Sequence, residues 1–140
     1  MVSIKDRVRF VETDMMGVVH HANYLRWFEM GRVEYMRRAG VLLHELMDAG
    51  YVFPITEVHC HYKKSARFDD EIVIHAHLTA LNRAKMSYAY EIKLALDDTV
   101  LVTGTTTNFF TKMDGTVARL PKEFYEKLAN FYEKQINGGR

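Results

Sequence analysis

The sequence predicts an α+β fold, an antiparallel sheet of about five strands laid over one dominant helix. Three observations carry this reading. The stretch from Glu12 to Ala39 opens with a turn and continues as the longest helical pattern before the C-terminus. Strand patterns then follow one another with only short polar turns between them, which leaves no crossover for parallel pairing and makes neighbours antiparallel. The chain has 140 residues, 48% of them hydrophobic, enough for one core and too few for two ordinary domains. Residues 1–140 are therefore expected to form one domain.

The first element is a strand, because Ile4, Val8 and Phe10 share a parity against Lys5, Arg7 and Arg9. The central helix starts between Val18 and Asn23. On a helical wheel Tyr24, Leu25, Phe28, Gly31, Tyr35, Met36 and Ala39 fall in one sector, with Arg26, Glu34 and Arg37 opposite. Gly40 closes this helix, and Val41 to Ala49 reads as a short second one ended by Gly50. Tyr51 to Tyr62 is a strand region interrupted by Pro54, as suits an edge. Ile72 to Thr79 alternates as a third strand, and Met86 to Leu96 is the cleanest alternation in the chain. Asp97 and Asp98 turn it into a fifth strand, Val100 to Lys112, and Asp114 with Gly115 turns the chain again. Pro121 suits the first position of a terminal helix with Phe124, Leu128, Phe131 or Tyr132, and Ile136 on its apolar side. Asn137 to Arg140 are expected to fray.

Composition excludes several function classes. With 19 basic and 18 acidic residues the formal charge is +1, so no overall field gathers nucleic acid or an anionic membrane, and an anionic ligand must be held locally. The single cysteine, Cys60, cannot form an internal disulfide, which fits a reduced, cytoplasmic setting. No apolar run reaches membrane-spanning length, and the first ten residues lack a signal-type apolar core. His59 with His61 and His75 with His77 each share a strand face, but three or four convergent ligands are what a metal needs, and no metal site is expected. No cofactor motif is present.

The candidate chemistry lies in the Glu12–Ala39 stretch. Gly17 permits a tight turn, and the helix start beyond it collects free N–H groups that can hold an anion or polarise a carbonyl oxygen. Asp14 stands just upstream. A carboxylate within reach of a carbonyl so polarised is the minimum equipment for hydrolysing an ester or thioester; the competing reading of Asp14 is an Asx turn or helix cap. Glu29 and Arg32, three apart, lie on or beside the apolar sector and read either as a structural ion pair or as part of a site. Arg83 and Lys85 bracket one turn, and Lys63, Lys64 and Arg67 lie in another.

The run Thr13 to Leu25, TDMMGVVHHANYL, followed by Glu29 and Arg32, closely resembles the signature of the 4-hydroxybenzoyl-CoA thioesterase family of hotdog-fold acyl-CoA thioesterases. The resemblance continues through Cys60 to Lys64 and on to Phe68, Asp69 and Asp70. His20 stands where many members carry Tyr, and Ser65 where many carry Pro. The resemblance implies a hotdog fold, at least a homodimer and as an alternative a homotetramer with sites at the subunit interface, and hydrolysis of an acyl-CoA without a cofactor. It makes Asp14 the nucleophile or general base and the His21 backbone N–H the group that polarises the thioester. Gly17, Asn23 and Tyr24 then shape the substrate site, Glu29 is a second candidate carboxylate, and Arg83 and Lys85 are contacts for the coenzyme A phosphates. Two other readings are an enoyl-CoA hydratase or dehydratase using Asp14 and His20, and a non-catalytic acyl-CoA-binding module.

Overall fold

In the computed structural model, which describes residues 1–138, the elements are β1 (Val2–Arg7), α1 (Ala22–Ala39), α2 (Leu43–Asp48), β2 (Tyr51–Val52), β3 (Ile55–Tyr62), β4 (Glu71–Leu81), β5 (Lys85–Leu94), β6 (Val100–Phe109), β7 (Thr111–Lys112) and α3 (Lys122–Gly138). Five strands form one antiparallel sheet in the order β1-β4-β5-β6-β3, and β2 pairs with β7 in a small second sheet. This is the expected hotdog arrangement, with α1 lying across the sheet and α3 beside it.

Alternation explains how helix and sheet meet. Ile72, Ile74, Ala76 and Leu78 of β4 and Met86, Tyr88, Tyr90 and Ile92 of β5 share one parity and are buried. They receive Tyr24, Trp27, Phe28, Tyr35 and Met36 of α1. Phe28 stacks on Tyr90 at 4.4 Å between ring centres, and Gly104 in β6 leaves room for that ring, since a Cβ there would lie 2.6 Å from Phe28. Phe131 of α3 meets Tyr35 edge-on at 5.0 Å.

Several element ends differ from expectation. β1 stops at Arg7, because Phe10–Glu12 form a 3-10 turn closed by the Arg9 N–H donating to Glu12 Oε1, and Phe10 is turned out to solvent. β5 stops at Leu94, leaving Leu96 exposed. The wheel missed Trp27, which is fully buried, and included Leu25, which is 38% exposed. α3 continues through Asn137 to Gly138, where fraying was expected; residues 139–140 lie outside the described residues.

The two sheet edges are unequal. β3 is exposed along nearly its whole length, including Ile55, Val58 and Tyr62. An uncovered eight-residue edge of this kind is a template for pairing with another strand.

Candidate active site

The loop from Thr13 to His21 is tied down at both ends. Thr13 bridges to Val19, the Asp14 N–H donates to Val18 O at 2.9 Å, and the His20 N–H donates to Glu12 O at 3.0 Å. Val19 in turn donates to Ala66 O, and Val18 bridges to Arg67, which anchors the loop beside the start of β4. At the tip, the Gly17 N–H donates to Asp14 O, and Gly17 adopts φ +77°, a left-handed conformation that side chains disfavour. Asp14 is exposed, and its Oδ1 accepts the Met16 N–H at 2.8 Å. Both sequence readings of Asp14 are thus compatible. One oxygen closes an Asx turn, and among the described residues the other has no hydrogen-bond partner.

The start of α1 shows a division of labour between the two histidines. His20 Nδ1 accepts the Ala22 N–H at 3.2 Å, so this imidazole caps the helix. For the exposed His21, no acceptor for its backbone N–H is found among the described residues, leaving a donor at the positive end of the helix. The His21 ring stacks on Tyr62 at 4.1 Å and 12° between planes, and the Tyr62 hydroxyl donates weakly to His21 O at 3.5 Å. Desolvation, and then the neighbouring Cys60 thiol, pushes the Tyr62 phenol up to about 12, so it remains a donor at neutral pH.

The other predicted residues fall in three places. Asn23 and Tyr24 support the loop. Asn23 Nδ2 donates to Glu12 O at 2.9 Å, and Tyr24 is buried with its hydroxyl accepting the Ala66 N–H at 2.9 Å, so Tyr24 lies beneath the site. Burial raises the Tyr24 phenol above its ordinary range. Glu29 is exposed and borders an open groove of about 460 Å³ lined also by Leu25, Arg32, Leu43 and Phe53. It forms no ion pair with Arg32 among the described residues, so the structural-pair reading of these two charges is not realised.

Arg83 and Lys85 lie away from the Asp14 loop within one chain. Arg83 donates from Nε to Leu120 O at 3.0 Å and accepts the Leu120 N–H on its own carbonyl, so it joins the β4–β5 turn to the segment before α3. Lys85 is exposed at the first position of β5. The Asp14 loop is anchored at the opposite end of that ten-residue strand, roughly 30 Å away within one chain. Among the described residues no three His, Cys, Asp or Glu side chains converge as metal ligands. Sequence reasoning missed Tyr62 as a neighbour of His21, although an aromatic closing an exposed strand just before two lysines was a visible signal. Buried Glu12, whose backbone and side chain hold the loop entrance, carried no such signal.

The model of the thioesterase-like superfamily matches residues 8–128, which takes in β2 to β7, α1, α2 and the Asp14 loop and begins just after β1. The chain belongs to that superfamily. This makes it a thioester hydrolase with a hotdog fold. An Aquifex aeolicus protein whose name says no more than esterase is 33% identical over 122 residues, 87% of this chain and 93% of that one. The acyl-CoA thioester hydrolase YbgC of Escherichia coli is 29% identical over 86 residues, 61% of this chain and 64% of YbgC. A crystal structure of a DHNA-CoA thioesterase from Staphylococcus aureus superposes with a TM-score of 0.90 at 26% identity, covering 99% of this chain and 94% of that one.

Proposed function

We propose that this thioesterase-like protein hydrolyses acyl-CoA thioesters to free acid and coenzyme A, in the cytoplasm, as a homodimer or a dimer of dimers. The observation that carries the reading is the pairing of an exposed Asp14, one carboxylate oxygen held and the other open, with an unpartnered His21 N–H on the same anchored loop. The His21 N–H polarises the thioester carbonyl and receives the negative charge that develops on its oxygen, an interaction whose loss typically costs about 100- to 1,000-fold in rate. Asp14 either adds directly to the carbonyl carbon, expelling the coenzyme A thiolate and leaving an anhydride for water to open, or takes a proton from the water that adds. The names of YbgC and the S. aureus enzyme support coenzyme A as the leaving group. In a hydratase reading His20 would have to act through Nε2, because its Nδ1 already accepts the Ala22 N–H.

The oligomer follows from the bare β3 edge. Two copies pairing β3 with β3 about a twofold axis run antiparallel, which sets the Ile55 end of one strand against the Tyr62 end of the other. Ile55 lies at the Lys85 end of its sheet and Tyr62 at the Asp14 end. A phosphate contact by Lys85 with a ligand at Asp14 is then made across the subunit boundary, with Gly17 allowing close approach and Asn23 and Tyr24 holding the helix start.

The test is thiol release from short, long and aromatic acyl-CoAs, with wild type and Asp14→Asn measured together. Release by wild type alone supports the assignment. Full activity in a folded Asp14→Asn protein moves the carboxylate role to Glu29, and binding without release makes the protein an acyl-CoA-binding module.

A further inference from the structure

We propose that the groove alongside α1 receives the acyl chain and that Arg32 selects acyl groups ending in a carboxylate, the monothioesters of dicarboxylic acids. This rests on the thioesterase reading of Asp14 and His21.

Arg32 is a buried cation without a counter-charge. It is 4% exposed and takes part in none of the ion pairs among the described residues. One amino group donates to the Tyr90 hydroxyl at 3.0 Å, and that hydroxyl is 2.7 Å from Thr106 Oγ1, so the guanidinium is fixed in place by neutral groups. Its Nε–H is buried with no acceptor. A lone buried charge is costly unless an anion joins it, and a guanidinium is the side chain best shaped to grip a carboxylate through two N–H groups.

The groove supplies the path to that charge. Leu25, one turn beyond His21, lines it, and Arg32 lies eleven residues beyond His21 along the same helix, a rise of about 16 Å that an arginine side chain leaning back toward the helix start shortens. A thioester held at the His21 N–H can therefore lay a medium-length chain along α1 with its far end at Arg32. Leu25, Val33, Leu43 and Phe53 line the groove with apolar surface suited to methylenes. Two guanidinium groups, Arg26 and Arg32, border it against the single carboxylate of Glu29, which is exposed and solvated, so the lining is net positive.

Chain-matched pairs test this: adipoyl-CoA against hexanoyl-CoA, suberoyl-CoA against octanoyl-CoA, and sebacoyl-CoA against decanoyl-CoA, compared by kcat/KM for thiol release. Wild type is expected to prefer the carboxyl-ended member of at least one pair by tenfold or more, the preference collapsing toward unity in Arg32→Met and returning in part in Arg32→Lys. Equal or reversed preference in wild type overturns the proposal, needs no variant to fold, and leaves the thioesterase reading intact. Absence of release from every thioester defeats that reading instead; calorimetric binding of suberate against octanoate to wild type then decides, tighter suberate binding supporting the Arg32 site and equal binding overturning it.

Discussion

The proposed mechanism gives Asp14 a catalytic role beside its observed hydrogen bond to the Met16 N–H, and a single substitution separates the two. Asparagine keeps an oxygen to accept the Met16 N–H but cannot attack or accept a proton, so Asp14→Asn is expected to lower thiol release by about 100- to 10,000-fold while circular dichroism and oligomer size stay as in wild type. Near-normal turnover in that folded variant would remove Asp14 from the mechanism. Tyr35 gives a second residue-scale expectation. Burial, the largest cause, pushes its phenol up to about 12, with the Leu78 backbone opposing. Between an unfolded value near 10 and that raised value the folded state holds the proton that the unfolded chain releases, so this stability is intact below pH 10 and falls as pH rises toward 12, by roughly 2–3 kcal/mol. Urea melts at pH 9 and 11.5 should show a smaller drop in Tyr35→Phe; an equal drop in both proteins refutes this role. Asp14 and Gly17 were legible in the sequence because the turn and the motif both mark them. The hydrogen bonds of Tyr24 and Arg83 were not, since residue type does not reveal that the Tyr24 hydroxyl already serves Ala66 and the Arg83 guanidinium already serves Leu120.

Elements meet at Gly104, where β6 passes under Phe28 of α1 and pairs with β3. A Cβ there would stand 2.6 Å from the Phe28 ring and 2.7 Å from the His59 carbonyl oxygen, so either the helix lifts or the β3–β6 ladder opens. Gly104→Ala is expected to destabilise the fold by about 1–3 kcal/mol, read as a lower urea midpoint with unchanged slope; an unchanged midpoint would show that the packing yields freely. Alternation made β4 and β5 readable, because a sheet with one buried face writes its parity into the sequence. Strand ends were less readable. β1 ends where the Glu12 side chain captures the Arg9 N–H, and Phe10 continues the alternation after the backbone has left the sheet. Arg32 shows the same limit on α1, as its burial follows from the partner at Tyr90 in a strand far along the chain.

At the scale of the whole molecule, one copy separates Lys85 from Asp14 by the length of a strand, and the proposed dimer is what would bring them together. If β3 pairs with β3, each site takes Asp14 from one subunit and Lys85 from the other. Asp14→Asn and Lys85→Glu homodimers then each carry two defective sites, the first unable to react and the second weak in binding the coenzyme A phosphates at low substrate. A mixed dimer carries one site with both defects and one with neither. Random reassortment makes half of the dimers mixed, so unfolding and refolding an equal mixture of the two variants should restore about a quarter of wild-type activity. Light scattering should give a particle of twice 16.3 kDa, or of four times that mass for a dimer of dimers. Activity in the refolded mixture no higher than the mean of the two variants would place Lys85 and Asp14 in separate functions. Recovery near a quarter would require the site to be shared, because no arrangement confined to one copy can regenerate an intact site from two damaged chains.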